Sequence, residues 1–416
     1  MTVVLAFYRM ATAGLSPLVP QLLNARAAMG KEISERRSER LARHLQPPPG
    51  GELIWLHGAS VGETKLLVNL AKAIQKRRPE AFFLFTSQTR TSAELMEDLP
   101  LARALHQFAP IDTPSATKRF IAHWQPDLCI FAEGEIWPNL LRAAQVSEAK
   151  LALVNARMTP KSISNWTRWK RTARNLFSQF DVILAADRNT AHGLSEITGR
   201  NISPYGSLKC GAHNALQTDH SEKRQFDWAG PILLGASTHA GEEEFLIDSL
   251  PLLPDDTRLI LAPRHPERGD ELTAFLAQRR LLFARWSKGD WPTRQTKVLL
   301  ADTMGEMPTW FSMSDHIYLG GAHLSGIGGH NPLEPLSYGK QIMTGPHASN
   351  FADIIEDLQA IDAVDIVRTT DDVAASFAKP LMPNKNALED YFSAGRQRLN
   401  DAAETLDKLL PPSGIK

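Results

Sequence analysis

A chain of 416 residues is long enough for two or three domains, each with its own core, and 43% hydrophobic with 22% charged residues are globular proportions. The formal net charge is zero and the isoelectric point is near 7.2, so no global field recruits nucleic acid, and no basic stripe is interleaved with aromatics. Two cysteines, Cys129 and Cys210, exclude a disulfide framework and sit in no metal-type cluster, as expected of a reduced, cytoplasm-facing protein.

Residues 1–22 are mostly apolar, but Arg9, Pro17 and Pro20 interrupt them. The uninterrupted run is short for a membrane span, and no basic segment precedes it as in a signal peptide. From Arg26 to Arg43 six basic residues (Arg26, Lys31, Arg36, Arg37, Arg40, Arg43) outnumber three acidic ones (Glu32, Glu35, Glu39). An apolar stretch followed by a basic helix suits an interfacial element, residues 1–48, held on anionic lipid. The alternative is a helix that only caps its own domain.

Beyond it, short apolar runs alternate with helix-length amphipathic segments, the pattern of repeated βα units and a parallel sheet. Strands are expected at Leu53–His57, Ala81–Thr86, Leu105–Ala109, Leu128–Ala132, Leu151–Asn155 and Asp181–Ala186. A second series follows at Ile232–Ala236, Arg258–Ala262, Val298–Ala301, His316–Gly320, Gln341–Met343 and Ala363–Val367. Between them lies a polar segment without apolar period, 209–229, which reads as a linker. The fold class is therefore α/β, with two doubly wound Rossmann-like domains, 49–208 and 230–416, facing a cleft.

In such sheets ligands gather at the carboxyl ends of strands, and the polar motifs fall there. Gly58-Ala59-Ser60-Val61-Gly62-Glu63 follows the first strand and Glu133-Gly134-Glu135-Ile136-Trp137-Pro138-Asn139 the fourth. In the second series the corresponding motifs are Ser237 to Glu243, Pro263 to Arg268 and Asp302 to Met307. Glu63 opens a helix, where a carboxylate can act as general base or merely complement the helix dipole. The loop is too short for a phosphate-binding Walker motif and lacks its Gly-Lys-Ser/Thr. Glu133 and Glu135 could orient substrate or cap a helix, and no third acidic or histidine ligand stands at metal-binding spacing. Arg264-His265, between prolines, forms a donor-rich loop suited to phosphate or carboxylate. Lys209 either directs a cation into the cleft or is a solvated linker residue.

The most informative stretch is Gly328-Gly329-His330-Asn331-Pro332-Leu333-Glu334-Pro335, followed by Gly345-Pro346-His347. A glycine turn opening into a helix offers free N–H groups and the positive helix end to a phosphate, and Glu334, one turn inside, can accept bonds from ribose hydroxyls. An ordinary strand-to-helix connection is the alternative. Trp124, Trp137, Trp166, Trp169 and Trp228 read as packing residues.

Taken together these motifs, with Gly30-Lys31-Glu32, Glu39-Arg40-Leu41, Asn155-Ala156-Arg157 and Gly206 to Lys209, resemble the 3-deoxy-D-manno-octulosonic acid (Kdo) transferases of Gram-negative bacteria over nearly the whole chain. Departures are Gly134 for the usual Thr, Ser207 for Asn, and Ala322-His323 for Gly-Ser. The resemblance implies the GT-B glycosyltransferase fold, CMP-Kdo as donor, and a lipid A precursor (lipid IVA) as acceptor at the cytoplasmic face of the inner membrane. Transfer would invert the anomeric centre and require no metal or other cofactor. It also implies Glu63 as general base and Glu133 and Lys209 as transition-state stabilisers. CMP would bind to Arg264, His265, Gly305, Glu306, Met307, Asn331, Pro332, Leu333 and Glu334. A non-catalytic nucleotide-binding or membrane-scaffold protein is the rival from another class, and a UDP-sugar transferase or sugar-nucleotide epimerase the rival enzyme.

Overall fold

The computed structural model describes residues 2–30, 32–96, 101–212, 226–380 and 384–412; Lys31 of the basic stretch and 213–225 of the expected linker lie outside them. Six apolar runs form the first sheet: β1 (Leu53–His57), β2 (Phe82–Ser87), β3 (Ala104–Phe108), β4 (Leu128–Ala132), β5 (Lys150–Ala156) and β6 (Val182–Ala185). All pair in parallel in the order β3-β2-β1-β4-β5-β6. β1 and β4 are buried throughout, because helices cover both faces and leave no polar side to alternate toward.

The helices of this part are α1 (Val3–Leu15), α2 (Val19–Ala28), α3 (Arg37–Arg40), α4 (Val61–Gln75) and α5 (Arg90–Leu95). They continue with α6 (Pro114–Trp124), α7 (Pro138–Val146), α8 (Pro160–Arg168), α9 (Lys170–Phe177) and α10 (Arg188–Thr198). Ser60, Thr89, Thr113, Thr159 and Asp187 cap α4, α5, α6, α8 and α10 through their side chains, satisfying N–H groups that have no partner inside the helix. One face of the sheet, with Trp55, Cys129, Phe131 and Leu153, packs on α6, α7, α9 and α10. The opposite face, with Ile54, Leu56, Ile130 and Val154, packs on α4.

The second sheet contains β7 (Ile232–Thr238), β8 (Arg258–Pro263), β9 (Phe283–Arg285), β10 (Val298–Leu300), β11 (His316–Leu319), β12 (Ile342–Thr344) and β13 (Val364–Ile366). Its order is β13-β12-β11-β7-β8-β10-β9, again parallel. Its helices are α11 (Glu242–Ser249), α12 (Gly269–Gln278), α13 (Met307–Met313), α14 (Leu333–Ser337), α15 (Ala352–Gln359) and α16 (Thr370–Phe377), and α17 (Lys385–Asp407) closes the chain. The expected strands are all present within about two residues. β9 was not anticipated: three residues at the sheet edge are too few to show a period.

Contacts divide the chain into Met1–Ala212 with Ala394–Lys416, and His213–Ser393. The expected boundaries need two corrections. The C-terminal domain does not run to 416, because Leu399, Ala402, Ala403, Leu406 and Leu410 of α17 and the turn after it are buried in the first unit's core beside α4. Nor do residues 209–212 belong to a linker. They continue the turn Leu208–Ala212, with Leu208 and Cys210 wholly buried, and Gly395 of α17 lies so close that a Cβ there would stand 2.9 Å from the Cys210 Cβ.

The N-terminal expectations also change. From Val3 to Ala28 the chain is helical for 26 residues, long and apolar enough to cross a membrane by length and composition. Pro17 and Pro20 do not interrupt it, because each stands in the first turn of a helical piece, where its missing N–H costs nothing. The polar side of α1 is tied to the domain: Tyr8 donates to Asp112 (2.9 Å), Asn139 to Thr12 (3.0 Å), and the Thr2 and Thr172 hydroxyls share a bond. Its other side exposes Val3, Phe7 and Met10, and α2 exposes Leu22. The basic segment is not the helix expected. It forms short turns in which Arg26 and Arg40 pair with the buried Glu32, and Arg36 with Glu39.

The C-terminal return is testable. Leu406→Ala should destabilise the protein by about 2–5 kcal/mol, the usual cost of emptying a buried leucine site, with urea unfolding as the measurement.

Candidate active site

In the first sheet the strand order reverses between β1 and β4, and a parallel sheet opens a crevice at that point, beyond the strands' carboxyl ends. Glu63 reaches it from the first turn of α4. Its carboxylate accepts from the Ala59 N–H (2.7 Å) and the Ser60 hydroxyl (2.7 Å), while Ser60 in turn accepts from the Glu63 N–H. This reciprocal cap fixes the side chain. Burial raises the carboxyl pKa above the ordinary glutamate value; the two hydrogen bonds oppose this, and the charges of Glu133 and Glu135 add to it. Gly58 lets the turn pass, since a Cβ there would stand 2.9 Å from the Glu63 Cβ.

Glu133 follows β4 in a left-handed conformation, φ 53°, which non-glycine residues adopt only at a cost. Its Oε1 accepts from Lys209 Nζ at 2.6 Å and Asn155 Nδ2 at 3.1 Å. Asn155, itself at φ 51°, accepts the Leu208 N–H through its other amide atom. A single amide therefore joins the ends of β4 and β5 to the turn carrying Lys209. Glu135 points to a different set: Trp137 donates at 2.7 Å, Gln88 at 3.3 Å, and His57 Nε2 lies at 3.4 Å. Burial works against the Glu135 carboxylate, but His57 and Trp137 outweigh it and hold its pKa below the usual range. The two acidic residues thus have separate partners and do not act as one pair.

In the second sheet the order reverses between β11 and β7. Glu242, 1% exposed, is the hub there. It accepts from the N–H groups of His239, Gly321, Ala322 and His323 at 2.8–3.2 Å and from the Tyr318 hydroxyl at 3.2 Å. One carboxylate so pins the loop after β7 to the loop after β11. Ser237, just before it, is at φ 52°. Above the hub His239 and His330 stack, with Nε2 atoms 2.9 Å apart, and His265 meets His239 edge-on. One ring donates and the other accepts, so the pair cannot be doubly charged. Burial, His239 and Arg264 lower the His330 pKa to about 4.

The residues expected to hold a nucleotide line the same edge. Arg264 and His265 are exposed just after β8. Gly305, at φ 85°, precedes Glu306 and Met307 at the start of α13, and the Thr303 hydroxyl bonds Glu306. Gly328 and Gly329, at φ 90° and 82°, make the expected turn. The helix behind it is only five residues long, so Glu334 is its second residue and not one turn inside. Asn331 takes the Leu333 N–H with its side chain (3.1 Å), and Pro332 is buried beside Leu333. Sequence reasoning missed Asn155, Glu242, His239 and His330 as site-building residues. For Glu242 the signal was a charged residue in a motif that placed it at a strand's carboxyl end, but only the fold brings three peptide N–H groups of a distant loop onto it.

Two doubly wound parallel-sheet units with polar residues at their switch points have the architecture of the GT-B fold. Solved structures share that fold: a glycosyltransferase from Rickettsia africae (TM-score 0.55, 11% identity, covering 88% of this chain and 100% of that one) and a putative UDP-N-acetylglucosamine 2-epimerase from Listeria monocytogenes (0.57, 10%, 88% and 100%). The family model for 3-deoxy-D-manno-octulosonic-acid transferase (kdotransferase) matches residues 34–212. The 3-deoxy-D-manno-octulosonic acid transferase of Haemophilus influenzae is 30% identical over 97% of this chain and 96% of its own, and that of Bordetella pertussis 31% over 86% of each. The chain belongs to the Kdo transferase family, glycosyltransferases of lipopolysaccharide biosynthesis.

The hub predicts a stability effect. Glu242→Ala would leave the loop N–H groups without their acceptor and should cost about 3 kcal/mol or more, read by urea unfolding, with faster amide exchange at 321–323.

Proposed function

We propose that the protein transfers Kdo from CMP-Kdo to a hydroxyl of the lipid A precursor lipid IVA, with inversion, and that Glu63 is the general base. The observation that carries this is the Glu63 carboxylate itself: fixed by Ala59 and Ser60 at the sheet's switch point, with burial raising its pKa above the ordinary glutamate value. As the acceptor oxygen bonds to the anomeric carbon, its proton passes to Glu63, and the bond to the phosphate oxygen breaks with its electron pair leaving on CMP. Glu133 and Lys209, an ion pair held by Asn155, answer the charge of the transition state. Arg264, His265, Gly305, Glu306, Met307, Asn331, Pro332, Leu333 and Glu334 hold CMP, with Glu334 on the ribose hydroxyls.

The lipid acceptor fits the N-terminal helix. The side chains of Thr2, Tyr8 and Thr12 are bonded to the domain while Val3, Phe7 and Met10 stand outward, and Trp169, 60% exposed, caps α8 close to the α1 start through its neighbour Thr172. We read this as a helix lying in the interface with its apolar side in lipid, at the cytoplasmic face of the inner membrane.

A paired experiment tests the assignment. Glu63→Gln should lower turnover by about 10²–10⁴-fold with CMP affinity nearly unchanged. Glu334→Ala should weaken CMP binding by about 1.5–3 kcal/mol, the range for a charged hydrogen bond. Calorimetry for CMP and product masses from CMP-Kdo and lipid IVA are the measurements, and near-normal turnover of Glu63→Gln would refute the base.

Activity should also survive EDTA, because Glu133 and Glu135 are each taken by other partners and no group of three metal-ligating side chains stands together among the described residues. Loss of product restored by added Mg²⁺ would overturn this.

A further inference from the structure

Stable membrane attachment usually needs two signals, an apolar insertion and a cationic patch. The apolar one is the outward side of α1, but the basic residues Arg26, Arg36 and Arg40 spend their charge on Glu32 and Glu39. A second cationic group stands elsewhere. Arg9 is the only charged residue before Arg26, and a cation in an apolar membrane-facing helix requires an anionic partner. It does not point outward. It lies half-buried on the domain side of α1 and lines a groove of about 860 Å³ walled by α6, α7, the amino ends of β4 and β5, and the turn at 409–411.

Lys118, one turn into α6, and Arg142, one turn into α7, line the same groove, and both are exposed. Among the described residues no carboxylate pairs with Arg9, Lys118 or Arg142. The rest of the lining mixes apolar side chains, Ile121, Ala143 and the exposed Val146, with Asp127, Glu148 and Lys150; Asp127 accepts the Leu53 N–H, and Lys150 stands 3.8 Å from Asp181. Four cations, Arg9, Lys118, Arg142 and Lys150, thus face two carboxylates, and the groove has the volume and the mixed apolar walls to take an amphiphile with an anionic head. We propose that this groove binds the phosphate headgroup of an anionic phospholipid drawn from the bilayer against which α1 rests. The proposal rests on the reading of α1 as an interfacial helix.

The lipid bound here is not the acceptor. The groove reaches Asp127 and Lys150 at the amino ends of β4 and β5, whereas Glu63 follows the carboxyl end of β1, so the length of the sheet separates the groove from the base. Its role is to fix the enzyme's orientation on anionic membrane.

The test uses the full-length protein and dihexanoyl-phosphatidylglycerol kept monomeric, so that no bilayer is needed. Calorimetry should show one equivalent bound by the wild type, none of comparable affinity for inorganic phosphate, and weakening of about fivefold for Lys118→Gln and again for Arg142→Gln, the factor for about one cation each at a lipid headgroup. Arg142→Lys should restore most of the loss, and Lys161→Gln with Lys170→Gln, exposed charges on α8 and α9 outside the groove, should change nothing. No binding by the wild type, equal binding of inorganic phosphate, or equal losses from the α8 and α9 variants would overturn the site. Vesicle flotation of Phe7→Asp with Met10→Asp examines the interfacial reading separately: unchanged flotation would remove that reading, whereas lost flotation with no lipid bound in calorimetry would remove only the groove site.

Discussion

A parallel sheet covered by helices on both faces leaves one edge at which polar side chains can stay accessible, and everything chemical in this protein is arranged around that constraint. Glu63, Glu133 and Lys209 collect where β1 and β4 part. His239, His330 and the glycine turn collect where β7 and β11 part. The strands themselves contribute burial, and the loops beyond them contribute function.

Holding those loops requires local expense. Glu133, Asn155 and Ser237 all follow or end strands in left-handed backbone, each a conformation that costs on the order of 1–3 kcal/mol without a glycine. The structure offsets it with dense polar contacts: Asn155 ties Glu133 to Leu208, and Glu242 gathers five donors. A carboxylate so buried would be costly alone; with its hydrogen bonds made, it locks one loop arrangement. Glu63 differs in kind. It has two donors and a raised pKa, and so keeps the capacity to take a proton.

The N-terminal segment shows how the same residues serve two environments. Its polar stripe of Thr2, Tyr8 and Thr12 is spent on the domain, which leaves an outer side that water does not suit. Asp112 is the fixed point of that docking: it accepts from Tyr8 and from the N–H groups of Asn139 and Leu140 at the start of α7, so the N-terminal helix and a core helix share one carboxylate.

The sequence by itself determined the elements whose signal is local. The strands β1 and β4, the helix that Glu63 opens, and the position of Glu63 and Glu133 after strands all follow from apolar runs ended by small polar residues. So does the family, because many ordered motifs carry it. What only the tertiary structure decided are matters of distance between residues far apart in the chain. The pairing of Lys209 with Glu133 removes Lys209 from a linker, the return of α17 to the first unit moves the domain boundary, and the pairing of Arg40 with Glu32 withdraws a basic residue from the surface. Charge counted along a sequence cannot show which charges neutralise one another, and an amphipathic helix does not name the core that will bury it. Those choices belong to packing, where burial and hydrogen bonding are settled between elements and not within them.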